Sequence, residues 1–176
     1  MYTSGVTATD FHPDTRAFFS GRDVLVLGGS GFIGSHLVEQ LLQLAAKPVV
    51  LSRQSRPSFL AGVANRVEVV QGTLIDTALV TKLVQRAPIV MNLAADVAGI
   101  EYNRDHPAEM FMNNMDIFFS ALRAAAAGKA ERFLVTSSAC VYPRHCSIPT
   151  PESEGFKDEP EPTNRGYGWA KRMEEM

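Results

Sequence analysis

Short apolar runs recur along the chain, and most are followed by a stretch in which apolar residues take a helical spacing. Val24 to Leu27 is apolar without a polar break, the pattern of a parallel strand buried on both faces. Ile33 to Leu44 then takes up a helical period. Pro48–Leu51 and Val67–Gln71 read as the second and third strands, Ile75–Gln85 as a helix with Asp76 near its start, and Ile89–Leu93 as the fourth strand. Pro107–Ala127 predicts a long helix with Phe111, Met115, Phe118, Phe119 and Leu122 on one core-facing side. Arg132–Thr136 follows as a fifth strand, and a last helix begins near Tyr167. Strands alternating with helices at this spacing predict an α/β fold, a doubly wound parallel sheet with right-handed crossovers.

The flanks differ from this pattern. Met1–Gly21 is polar and turn-rich, anchored only by Phe11, Phe18 and Phe19, and reads as an extension packed loosely on a domain of residues 22–176. Pro143–Arg165 is rich in proline and acid and reads as a long loop. The 176 residues suit one well-packed domain. With 45% hydrophobic and 20% charged residues and a net charge of -2, the composition is that of a soluble globular protein, not of a nucleic-acid binder. No apolar run reaches membrane-spanning length and no signal peptide is visible, so a cytoplasmic location is expected. Cys140 and Cys146 make neither a disulfide framework nor zinc spacing; both are expected to be free thiols, with no metal site.

The first strand runs into Gly28, Gly31 and Gly34, a G-x-x-G-x-x-G turn that opens a helix. The first glycine permits the tight turn, the second lets backbone approach a pyrophosphate, and the third lets helix and strand pack closely. Unpaired amides and the positive end of the helix dipole then face the phosphates. The strand before and the helix after supply the context that makes this a dinucleotide-binding fingerprint.

Three further stretches carry candidate chemistry. The second strand ends in Leu51-Ser52-Arg53-Gln54, where an acidic residue would select NAD through the ribose hydroxyl. Arg53, helped by Arg56, suits a 2′-phosphate instead and favours NADP over NAD. Tyr167 and Lys171 lie one helical turn apart, and an ammonium near a phenol lowers its pKa toward the range useful for proton transfer. Ser137 and Ser138 follow the fifth strand, where a hydroxyl can polarise a substrate carbonyl or can simply form and cap a turn.

With these pieces in place, the chain resembles an extended short-chain dehydrogenase/reductase of the nucleotide-sugar epimerase/dehydratase group. GGSGFIGSH, NLAA, SSACVYP and YGWAK occur in that family's order and cover nearly everything from residue 23 to 176. AADVAGI, HPAEMFMNNM, SSACVYP and EPTNRGYGWAK are most similar to GDP-fucose synthase and GDP-mannose 3,5-epimerase. The resemblance implies Ser138 as catalytic serine, Tyr167 as acid/base, and Lys171 as the residue that holds the ribose and tunes the tyrosine. It implies cofactor contacts from Gly28, Gly31, Phe32, Ile33, Gly34, Thr73, Leu74, Leu93, Ala94, Ala95 and Asn114, as well as Tyr167 and Lys171. Cys140 matches the cysteine that similar epimerases use for proton exchange beside a C4 ketone; the other reading of Cys140 is a small buried filler.

Some positions depart from the family pattern. Leu27 replaces a common threonine, Asn92 a common histidine, and Thr73 an aspartate set against the adenine. Asp76 either serves in that last place or caps its helix. Ala139 and Cys140 stand where 4,6-dehydratases carry an Asp-Glu pair, which argues against dehydration. The expected activity is therefore NADP-linked epimerase/reductase chemistry on a nucleotide-diphosphate sugar. The alternatives are an NAD-dependent 4-epimerase or a dinucleotide-binding fragment without turnover. Relatives continue into a substrate-binding part, so a truncated chain is expected. A homodimer through the long helices is the expected assembly.

Overall fold

The computed structural model describes residues 11–176, and the chain divides into two compact units. Residues 11–94 with residues 120–134 form the first, and Ala95–Phe119 with Val135–Met176 the second.

The first unit holds a five-stranded sheet. In chain order its elements are α1 (Pro13–Phe19), β1 (Asp23–Leu27), α2 (Phe32–Gln43), β2 (Lys47–Ser52), β3 (Glu68–Gln71), α3 (Thr77–Arg86) and β4 (Ile89–Asn92). The C-terminal part of α5 (Pro107–Gly128) and the first three residues of β5 (Arg132–Val135) complete it. The strand order is β3-β2-β1-β4-β5. β1 pairs in parallel with β2, Val26 opposite Val50, and with β4, Val26 opposite Met91. The predicted α/β doubly wound parallel sheet is what the chain forms.

Residues 24–27 of β1 are wholly buried, and their alternation divides them between two cores. Leu25 and Leu27 pack with Val80, Leu83 and Val84 of α3 and with Ala121 and Ala124 of α5. Val24 and Val26 pack with Val38 and Leu41 of α2 and with Leu60. Each fully buried Val or Leu contributes about 1.5–3 kcal/mol, which is why an uninterrupted apolar run is stable only at the middle of the sheet. Small residues bring α5 close: a Cβ at Gly128 would stand 2.6 Å from the Val84 side chain.

One expectation is filled in here and another changes. The described part of the N-terminal segment is a short helix with no fully buried residue: Pro13 occupies its first turn, His12 accepts from the Asp14 amide at 3.3 Å, and half-buried Phe18 and Phe19 pack onto the second core. Its first ten residues lie outside the described residues. On α5 the buried stripe runs through Met110, Asn114, Met115, Phe118, Ala121 and Ala124, while Phe119 and Leu122 are 41% and 38% exposed. A band of five apolar residues is wider than one buried face of a helix, so part of it meets solvent.

The second unit combines α4 (Ile100–Asp105), the N-terminal half of α5, and α6 (Arg165–Glu175), with the segment from Val135 onward between α5 and α6. The helix α4 is too short to show a period in sequence; buried Asn103 fastens it by donating to the Ala98 and Gly99 carbonyls at 2.8 and 3.1 Å. The acidic loop is tied down by two of its own carboxylates. Glu154 accepts from the amide and hydroxyl of Ser147 and from Lys157. Glu161 accepts from Thr163 and Arg144. Among the described residues no helix is long and apolar enough to cross a membrane.

Candidate active site

The first unit presents a glycine-lined cradle at the carboxyl ends of β1 and β4. Gly28 has φ of +80°, and a Cβ there would stand 2.7 Å from the Ala94 amide nitrogen. Only glycine satisfies both conditions. A Cβ on Gly34 would lie 2.2 Å from the Gly28 carbonyl oxygen, so the first turn of α2 sits directly on the turn that precedes it. Gly31 caps α2 with no side chain, and the first-turn amides have no intrahelical acceptor. Phe32 and Ile33, both about two-thirds exposed, flank that open helix end. The residues present therefore fit a dinucleotide pyrophosphate: bare backbone, free amides and a favourable dipole.

Around this cradle the sequence candidates fall as follows. Ser52 is buried and its hydroxyl accepts from the Gln54 amide at 3.1 Å, which turns Arg53 outward. Neither the Arg53 nor the Arg56 guanidinium has a hydrogen-bond partner among the described residues, and both are exposed. The Arg53 carbonyl accepts from Gln71 at 3.3 Å, joining the ends of β2 and β3. Thr73 is exposed and Leu74 leans on the first core. Asp76 caps α3, accepting from the Leu79 amide at 3.0 Å through one carboxylate oxygen, as its capping reading expects. Asn92, 1% exposed, accepts from the Ala94 amide and so shapes the Leu93–Ala94 exit of β4.

The second unit gathers Ser138, Cys140, Tyr167 and Lys171. Ser138 caps a short 3-10 turn, Ala139–Val141, by accepting from the Cys140 amide at 3.2 Å. The Cys140 thiol accepts from Asn164 Nδ2 at 3.4 Å, and its carbonyl accepts from the Glu161 amide. Glycines on either side of Tyr167 let α6 enter this space. A Cβ on Gly166 would strike the Pro107 carbonyl at 1.9 Å, and one on Gly168 would lie 2.6 Å from the Cys140 carbonyl. Asn114 is 1% exposed and gives its carboxamide to backbone groups of Asp96 and Met110, holding the residue that follows Ala95.

Tyr167 is half-buried, and its phenol is pushed up from the ordinary value. Burial is the main cause, negative charge at Cys140 and Glu174 adds to it, and a hydrogen bond with Ser138 opposes it. This direction is opposite to the one expected from the Tyr167–Lys171 spacing. The first reason is the burial of the phenol. Lys171 Nζ stands 5.7 Å from the centre of the Tyr167 ring, but it donates to Glu174 at 2.8 Å and to the Thr136 carbonyl at 3.1 Å. Sequence shows acids at 174 and 175 but not which one turns inward. Gly166, Gly168, Asn164 and Glu174 were the residues sequence reasoning missed; the glycines beside Tyr167 were the one available signal.

Comparison with known proteins agrees with this geometry. Residues 24–176 match the NAD dependent epimerase/dehydratase family. UDP-glucose 4-epimerase of Yersinia pestis is 34% identical over 162 residues, covering 87% of this chain and 46% of that protein. Probable GDP-L-fucose synthase 1 of Oryza sativa subsp. japonica is 28% identical over 167 residues, covering 94% of this chain and 47% of that protein. Among solved structures, UDP-glucose 4-epimerase from Brucella ovis in complex with NAD superposes with a TM-score of 0.74 at 27% identity, over 88% of this chain and 46% of that one. The chain spans about half the length of the relatives it matches.

Proposed function

Since the chain belongs to the NAD dependent epimerase/dehydratase family, we propose that it serves an epimerase/reductase acting at C4 of a nucleotide-diphosphate sugar, in the manner of GDP-fucose synthase. The observation that carries this reading is the gathering of Ser138, Cys140 and Tyr167 in one unit: the serine caps the turn that holds the free thiol, and the half-buried phenol of α6 adjoins both.

Gly28, Gly31 and Gly34, with Phe32 and Ile33, would hold the dinucleotide, and Arg53 and Arg56 favour one with a 2′-phosphate. Thr73, Leu74, Leu93, Ala94 and Ala95 would line it. The bound nicotinamide would supply or take up hydride at the sugar carbon. Tyr167, neutral at rest, is suited to give a proton to the oxygen of a carbonyl being reduced, while Ser138 donates a hydrogen bond to that oxygen. A ketone at C4 makes the neighbouring C–H protons acidic, and Cys140 as thiolate would remove one in an epimerisation. Met112, Phe119 and Leu122, exposed on α5, suit a second copy of the chain.

A second reading is a 4-epimerase using NAD, which the 34% identity to a UDP-glucose 4-epimerase and the likeness to one solved in complex with NAD favour. Turnover assays with GDP- and UDP-linked sugars, run on the unmodified chain and on Tyr167→Phe, test both readings. The proposal expects turnover to fall by about a hundredfold or more in Tyr167→Phe while cofactor binding persists. Undiminished turnover in that variant would overturn it, and binding without any turnover would leave a dinucleotide-binding unit.

A further inference from the structure

Asn164 is the N-cap residue of α6, yet its side chain makes no bond to the first turn of that helix. An asparagine in this position ordinarily turns its carboxamide oxygen onto an amide there, as the Asp76 carboxylate does for α3. Asn164 instead commits its amide nitrogen to the Cys140 sulfur, at 3.4 Å. Three segments hold the sulfur in place for that contact. The turn Ala139–Val141 is fixed at its start by the Ser138 hydroxyl, which accepts from the Cys140 amide, and at its end by buried Arg172 of α6, which donates to the Val141 carbonyl at 2.8 Å. The Cys140 carbonyl accepts from the Glu161 amide, and the missing side chain of Gly168 leaves room for it. The charged side chains of these segments are engaged elsewhere: Glu161 with Arg144 and Thr163, Arg165 with Glu159, and Lys171 with Glu174 and the Thr136 carbonyl. A cysteine that only fills space needs no such donor.

We propose that Asn164 is a positioning residue acting through Cys140: its amide holds the sulfur beside Tyr167 and binds it more strongly once the thiol has given up its proton. The inference rests on the reading of Cys140 as the group that exchanges a carbon-bound proton. A neutral thiol sulfur is a weak acceptor, whereas a thiolate accepts a charge-assisted bond. The same donor therefore does little for the thiol and more for the thiolate. Because the carboxamide is uncharged, it gives this help without setting a second cation beside the Tyr167 phenol.

Alkylation by iodoacetamide reads the thiolate directly, because that form displaces iodide. In a chain carrying Cys146→Ser, Cys140 is the one thiol left to react. There Asn164→Ala should slow alkylation at neutral pH by about tenfold. Asn164→Asp, which keeps the shape but sets a negative acceptor against the sulfur, should slow it at least as much. A side chain that only packs would give the opposite order, with the aspartate variant like the parent and the alanine variant disturbed. An unchanged rate in an Asn164→Asp protein with a native circular dichroism spectrum would overturn the proposal, and so would faster alkylation in Asn164→Ala. A second check leaves Asn164 in place. In a ¹⁵N–¹H spectrum, with the Asn164 side-chain amide assigned by its loss in Asn164→Asp, Cys140→Ala should move that resonance and leave the Asn92 one where it is. An unmoved Asn164 resonance would also overturn the proposal. Neither readout needs turnover: full epimerisation by Cys140→Ala would remove the functional reading and leave the Asn164 result standing.

Discussion

The carboxamide of Asn114 grips the backbone of Asp96 from both sides, accepting from its amide at 2.9 Å and donating to its carbonyl at 3.0 Å. A third bond, to the Met110 carbonyl at 2.7 Å, fixes the rotamer within α5. Neighbouring Asn113 adds a bond to the Asp96 carboxylate. Asn114→Ala leaves the Asp96 backbone groups without these partners, and each buried polar group so orphaned costs about 1–3 kcal/mol. Urea denaturation should show a loss of that order, whereas Asn113→Ala, at a half-buried position, should lose less.

Gly34→Ala tests the contact between α2 and the turn before it. A Cβ 2.2 Å from a backbone oxygen cannot be relieved by a side-chain rotation. The helix must move, at a cost of about 1–3 kcal/mol or more. Thermal melts should show a marked drop, with dinucleotide affinity lost as well. Gly62→Ala, where nothing lies within 4 Å, is the matched control and should stay within about 0.5 kcal/mol of the parent.

Cofactor choice should follow Arg53. Its exposed guanidinium has no protein partner to give up among the described residues, so a 2′-phosphate gains a charge-assisted contact at little cost. Calorimetric titration should find Arg53→Ala weakened about ten- to hundredfold toward NADP(H), with NAD(H) affinity nearly unchanged. Equal losses for both cofactors would assign Arg53 no part in recognising the phosphate.

The acidic loop should respond to pH through Glu154. Bonds from the Ser147 amide, the Ser147 hydroxyl and Lys157 hold its carboxyl down from 4.5 to about 2. A depressed folded-state pKa means the stabilisation is complete above about 4.5, declines as pH falls, and is gone below about 2. Amide exchange at Ser147 should thus be protected at neutral pH and lose protection between those values. Glu154→Gln should abolish that pH dependence.

How far the chain could be read from its sequence differs from place to place, and the difference has a physical cause. The run Val24–Leu27 and the three glycines after it specify a strand, a turn and a helix through local sterics and periodicity, so the sheet and its cradle were legible. Asp76 was legible as a cap candidate, because capping needs only its own helix. The helix α4 was not, since six residues cannot display a period. The band on α5 was readable as apolar, but only packing chose Met115 and Phe118 over Phe119 and Leu122 for burial.

The acid–base site divides in the same way. Sequence by itself determined that Tyr167 and Lys171 share one face of a helix and that Ser138 follows the fifth strand. Only the tertiary structure decided which carboxylate reaches Lys171. Glu174 and Glu175 are chemically identical in sequence, yet one is buried against the ammonium and the other bonds the Ser137 hydroxyl. Spacing reports which side chains neighbour each other on a helix. The ionisation of a phenol depends on the net charge and the solvent around it, and those are set by what the rest of the chain packs against that helix.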